Sequence, residues 1–142
     1  MKKLSKVIIV DDNVYSNIAS KKVIQLAKVF DSIQTFEDPM LAFSYIQNLY
    51  EKNIEEEIPD LILVDLNMPE MSGWEFIRTF ELLPYENTRL TDIKILTGSE
   101  DEEDKKRASA LSIISAFITK PLNIEKVMST LNRNQINKYS PI

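Results

Sequence analysis

The chain has 142 residues, 44% of them hydrophobic and 27% charged, with a formal net charge of −5, values that fit one globular domain with a real core. It has no cysteine and no histidine, which excludes disulfides, thiolate nucleophiles, Ser/His/Asp hydrolysis and Cys- or His-ligated transition metals. The acidic balance argues against non-specific nucleic-acid binding, and no apolar run approaches the roughly 18 residues of a membrane span. The run behind the basic start is only Val7 to Val10 before Asp11, too short for a signal peptide, so a cytoplasmic protein is expected. Carboxylates, hydroxyls, lysines and hard cations are left to do any chemistry.

Residues 7–10 (Val-Ile-Ile-Val) have the pattern of a strand buried on both faces. A helix of about four turns follows from Asn13, with Tyr15, Ala19, Val23 and Leu26 predicted on its inner face. Residues 32–36 (Ser-Ile-Gln-Thr-Phe) alternate more and predict a strand nearer an edge. Asp38-Pro39 supplies an N-cap and a proline at the first helical position, opening a helix with Ala42, Ile46 and Leu49 inward. The charged stretch 51–60 reads as a solvated surface loop. Residues 61–64 (Leu-Ile-Leu-Val) predict a second fully buried strand. Ser72-Gly73 then precedes a helix with Phe76, Ile77 and Phe80 on its inner side.

Residues 93–96 (Ile-Lys-Ile-Leu) predict a fourth strand. Ser99 with Glu102 three residues on predicts a capping box, opening a highly charged helix to about Leu111. Residues 116–119 predict a fifth strand, stopped by Lys120-Pro121. A last helix, capped by Asn123, places Ile124, Val127, Met128 and Leu131 on one face. Strands alternating with helices imply an α/β fold, a parallel sheet covered by helices on both faces with right-handed crossovers. The expected organisation is one domain over 1–133 and a loose C-terminal tail over 134–142.

In such a sheet all strand C-termini share one edge, and ligands bind there where strand order reverses. Asp11 and Asp12 follow the first strand, Asp65 and then Asn67 the third, Thr97 the fourth and Lys120 the fifth. Separate strands thus deliver three carboxylates, a hydroxyl and an ammonium to one rim. Crowded carboxylates repel unless a cation is shared. Mg2+ suits them, because it needs only one or two carboxylates and keeps its other positions for water and phosphate oxygens. One carboxylate can then act as nucleophile on phosphorus, with Thr97 and Lys120 holding phosphoryl oxygens. Taken singly, each residue has a plainer reading: an Asp after a strand is often a helix N-cap, Thr97 an ordinary strand residue, Lys120 a surface lysine and Phe117 simple core.

The set Val-Asp-Asp-Asn (10–13), Leu-Val-Asp-Leu-Asn-Met-Pro-Glu-Met-Ser-Gly (63–73), Leu-Thr-Gly-Ser (96–99) and Ile-Thr-Lys-Pro (118–121) resembles the receiver domain of two-component response regulators, over about residues 5–133. The resemblance implies a flavodoxin-like, doubly wound five-stranded sheet of order 2-1-3-4-5 with five helices. It makes Asp65 the phosphoacceptor and gives Mg2+ to Asp12 directly, Asp11 through water, Asp65, and the backbone carbonyl of Asn67. Thr97 and Lys120 hold the phosphoryl group, Phe117 is the switch aromatic that follows Thr97, and the Lys120-Pro121 bond is usually cis. Gly98 stands where the family usually has alanine, and Ser99 and Asn67 occupy positions that tune phosphoryl hydrolysis. No glycine precedes the fifth strand, and segments 51–59 and 84–91 are longer than usual.

The function so implied is that of a stand-alone response regulator receiver, which is not an enzyme beyond self-directed phosphoryl transfer and autodephosphorylation. It would take its phosphoryl group from a sensor histidine kinase or histidine phosphotransfer protein. The signal would leave through a downstream protein partner or a homodimer formed on phosphorylation, with no nucleic acid and no membrane involved. One rival is a Mg-dependent phosphohydrolase with an aspartyl-phosphate intermediate. Such enzymes carry an Asp-x-Asp pair, whereas here Asn67 stands two residues after Asp65. The other is a phosphorylation-independent receiver-like adaptor.

Overall fold

The computed structural model describes residues 6–130. Five strands alternate with five helices: β1 (Lys6–Val10), α1 (Val14–Ala27), β2 (Ser32–Phe36), α2 (Pro39–Glu51), β3 (Leu61–Val64), α3 (Gly73–Glu81), β4 (Asp92–Thr97), α4 (Glu102–Ser109), β5 (Ile114–Thr119) and α5 (Ile124–Thr130). Every pairing is parallel and the order is β2-β1-β3-β4-β5, as expected. Strand order reverses at β1, so the loops after β1 and β3 diverge and leave a crevice between them.

Alternation along each strand divides the core in two. Ile8, Val10, Ile62, Val64, Ile93 and Ile95 face α2 and α3, where Ala42, Ile46, Phe76 and Phe80 meet them. Val7, Ile9, Leu61, Leu63 and Ile118 face the other way, onto Ile24 of α1 and Val127 of α5. Burial on both faces accounts for the continuous apolar runs of β1 and β3, since each such side chain contributes about 1.5–3 kcal/mol on leaving water. The outer strand β2 is only half-buried, in keeping with its alternation.

Capping signals set the helix starts. Asp38 accepts from the amides of Met40 and Leu41, with Pro39 at the first position, and Ser72 with Glu75 forms a reciprocal capping box. Asn123 accepts from the Lys126 amide at 2.7 Å.

Several local expectations are corrected. The inner face of α1 is Asn17, Ser20 and Ile24, whereas Tyr15 and Leu26 are 79% and 60% exposed and Ala19 also faces solvent. Two polar residues occupy the inner stripe because Asn17 has work there: its side-chain amide donates to the Asp11 carbonyl at 2.7 Å. The cap of α4 is Asp101, whose carboxylate accepts from the Glu103 amide, and α4 ends at Ser109. Ser99 binds the Asp104 carboxylate instead. Strand β5 begins two residues earlier than predicted, at Ile114. In α5, Val127 is buried but Ile124 is 45% exposed. The stretch 51–60 is more ordered than a loop: Glu51 ends α2, Glu55–Glu57 form a 3-10 turn, and Ile58, Pro59 and Asp60 are buried. Leu131 and the expected tail 134–142 lie outside the described residues.

Candidate functional site

Asp11 and Asp65 extend the ladder of the two central strands past their last residues. The Asp11 amide donates to the Phe36 carbonyl and the Asp65 amide to the Val10 carbonyl, both at 3.0 Å. Their carboxylates are therefore brought together by sheet geometry and not by side-chain reach.

Asp11 is 2% exposed and fully engaged. Its Oδ1 accepts from the Asn13 amide at 3.0 Å. Its Oδ2 accepts from the Ser16 hydroxyl at 2.6 Å and from Lys120 Nζ at 2.5 Å. Lys120 leans from the end of β5 and also reaches Asp65 Oδ2 at 3.3 Å. Asp65 Oδ1, by contrast, is buried with no hydrogen-bond partner among the described residues. Asp12 stands exposed at the mouth. One oxygen from each of Asp11, Asp12 and Asp65 lies within 4.8 Å of the others.

An orphaned buried carboxylate oxygen costs free energy unless something else satisfies it. Three carboxylates facing one ammonium also leave the site negative. The donor set is all oxygen and partly open to solvent, which is the chemistry of a hard divalent cation. The residues present therefore fit Mg2+, as expected.

The remaining residues surround this centre. Thr97 is the last residue of β4 and fully buried. Its hydroxyl oxygen accepts from the Ser99 amide at 3.3 Å, and its carbonyl accepts from the Lys120 amide at 2.8 Å. Asn67 is exposed two residues beyond Asp65. The Lys120-Pro121 bond is cis. Phe117 is half-buried, packed against the α2/α3/α4 side of the core and lining a groove of about 220 Å³ with Lys105, Ala108 and Ser109 of α4. Gly73 has a steric reason to be glycine: a Cβ there would fall 2.3 Å from the Asp65 carbonyl oxygen. Its amide donates to the Leu66 carbonyl at 2.9 Å, so the first turn of α3 is pressed against the loop that follows β3.

A model of the response regulator receiver domain family matches residues 7–132. The chain belongs to that family. Transcriptional regulatory protein CiaR of Streptococcus pneumoniae is 32% identical over 99 residues, 70% of this chain but 41% of its own length. This receiver thus spans less than half of that relative. Among solved structures, a two-component response regulator from Cytophaga hutchinsonii superposes with a TM-score of 0.81 over 96% of this chain and 98% of its own, at 24% identity, which bears on the fold. The chemotaxis response regulator CheY4 of Vibrio cholerae gives a TM-score of 0.69 at 27% identity, covering 91% of this receiver and 97% of itself. Among the described residues no helix is long and apolar enough to cross a membrane.

Two residues that position the receiver's site were not anticipated from sequence. Ser16 and Asn17 both serve Asp11, one at its carboxylate and one at its carbonyl. A signal for the first existed in Asn13, which caps α1 by accepting from the Ser16 amide and so fixes where that residue stands. Nothing in the sequence marked Asn17.

Proposed function

We propose that Asp65 accepts a phosphoryl group from a phosphohistidine on a sensor histidine kinase or histidine phosphotransfer protein. The observation that carries this reading is the buried, unpartnered Asp65 Oδ1 beside two further carboxylates and an ammonium. In the transfer, Oδ1 bonds to phosphorus as the P–N bond to the donor imidazole breaks. The bonding pair leaves with the imidazole nitrogen, which then takes a proton from solvent. Asp11, Asp12, Asp65 and the Asn67 carbonyl would hold Mg2+, which when bound supplies charge neutralisation for the incoming phosphoryl oxygens.

Lys120 already bridges Asp11 and Asp65 and is placed to pair with a phosphoryl oxygen. The Thr97 hydroxyl proton is free to donate to another, because only its oxygen is engaged by Ser99. The product carries about −1.5 to −2 charges at the rim, and the response of Thr97 and its loop, with Phe117 beside them, carries the signal to a protein partner or a second copy. The donor's approach is favoured beside α1. There Val14, Tyr15 and Ile18 expose apolar surface, next to a groove of about 350 Å³ lined by Ser16, Ala19, Ser20, Lys120, Pro121 and Leu122.

The test is intact mass after incubation with acetyl phosphate, with and without Mg2+. One phosphoryl group is expected on the unmutated chain with Mg2+ and none on Asp65→Asn. Equal uptake by Asp65→Asn overturns the assignment, and steady turnover of a small phosphomonoester would make the protein a hydrolase instead.

A further inference from the structure

We infer that Asp104, in the first turn of α4, is a positioning residue for the phosphoryl site: it acts through Ser99 to hold the Thr97 loop in its resting arrangement. This rests on the acceptor reading above and adds to it the contact that sets how readily the loop responds. The chain of bonds is continuous. The Ser99 amide donates to Thr97 Oγ1 at 3.3 Å, and the Ser99 hydroxyl donates to Asp104 Oδ2 at 2.7 Å. The same hydroxyl accepts from the Asp101 amide at 3.2 Å. Thr97, Ser99 and α4 are thereby clasped into one unit.

The clasp matters because the link between Thr97 and α4 has little packing of its own. Gly98 links Thr97 to Ser99, and a Cβ there would meet nothing within 4 Å. The joint is both free of packing and made of the residue with the widest backbone freedom. In α4 only Ala108 is buried. Arg107 of the same helix stacks at 4.3 Å over the ring of Trp74 in α3.

A shift of Thr97 toward a group on Asp65 would strain its bond with the Ser99 amide and, through the Ser99 hydroxyl, the bond to Asp104. Occupying the acceptor therefore costs the clasp, and a chain without it starts closer to the engaged arrangement. A single hydrogen bond of ordinary net strength converts to about fivefold in affinity for an acceptor-site ligand.

The probe is beryllium trifluoride, a tetrahedral mimic of the phosphoryl group on a carboxylate, titrated into the full chain with Mg2+. Binding is followed by fluorine NMR and by fluorescence of Trp74, the one tryptophan in the chain and one that α4 touches directly. Ser99→Ala and Asp104→Ala are each expected to tighten binding about fivefold, and the double variant no more than either alone. Asp104→Asn keeps an acceptor oxygen for Ser99 and should stay within about twofold of the unmutated chain, separating the clasp from the charge at the helix N-terminus. Unchanged single variants, additive effects, or Asp104→Asn behaving as Asp104→Ala would overturn the clasp while leaving the acceptor reading in place. If the unmutated chain neither binds the probe nor takes a phosphoryl group from acetyl phosphate, the acceptor reading falls and the clasp with it.

Discussion

Gly73 and Asp65 show how tightly the acceptor is built at the level of single residues. The Asp65 carbonyl lies where the Gly73 Cβ would be, at 2.3 Å, with Leu66 Cα at 2.7 Å, and both obstacles are backbone. Neither can rotate away, so Gly73→Ala must push α3 or the acceptor loop aside. The cost expected from such overpacking is about 1–3 kcal/mol in urea unfolding, with slower phosphoryl uptake because Asp65 is carried along. An alanine variant as stable and as reactive as the original would mean that the loop is softer than the contact implies. The motif Leu-Asn-Met-Pro-Glu-Met-Ser-Gly made this glycine visible in the sequence. Only the fold gives its reason, which is the approach of a helix start to the back of the acceptor.

Among the elements, β4 carries the least expected residue. Lys94 interrupts an apolar run, is 1% exposed, and ties β4 to its neighbours by donating to Ser115 Oγ at 2.8 Å and to the Thr130 carbonyl of α5 at 3.3 Å. Burial lowers its pKa from the ordinary 10.5, the charge of Asp92 opposing. The unfolded chain then binds this proton more tightly than the folded one. In the window between the lowered value and 10.5, unfolding takes up protons, and the contribution of Lys94 to stability rises with pH. Lys94→Met removes the buried charge, so its Tm relative to the original should be highest near neutrality. That difference should shrink as the pH rises toward 10.5 in scanning calorimetry. A constant difference would contradict the assignment.

The same element scale shows where sequence patterning succeeded and failed. Strands β1 and β3 were legible because burial on both faces leaves an unbroken apolar run. The inner face of α1 was not, because Asn17 and Ser20 sit where hydrophobic periodicity expects carbon. Nor was the start of α4, where Asp101 caps the helix and Ser99 bonds Asp104 instead of closing a box with Glu102.

At the scale of the molecule, the sheet places four chain-distant segments on one rim and leaves their charges unbalanced. Mg2+ bound there should raise Tm, since a ligand at about 100 times its Kd adds about 2.7 kcal/mol to the stability of the state that holds it. Calorimetry with Mg2+ against chelator should show this shift in the unmutated chain and a much smaller one in Asp12→Asn, whose exposed side chain has little part in packing. An equal shift in both would move the cation elsewhere. The site's residue types were legible because each follows an apolar run, and their convergence followed from the parallel sheet. Its inner support was not, since Ser16 and Asn17 act through bonds that exist only after α1 has docked.

Because Asp11, Asp65, Thr97 and Lys120 come from the ends of four different strands, no shorter stretch of the chain contains the acceptor centre. Lys120 emerges from synthesis after all five strands, and it closes the centre from the opposite end of the sequence to Asp11. A chain with β5 detached would keep Asp11 and Asp65 side by side through the β1–β3 pairing but would lack the Lys120 ammonium that bridges them. The ammonium that balances the two carboxylates thus arrives only when the last strand has docked, so the finished charge pattern of the rim is a property of the completed sheet alone.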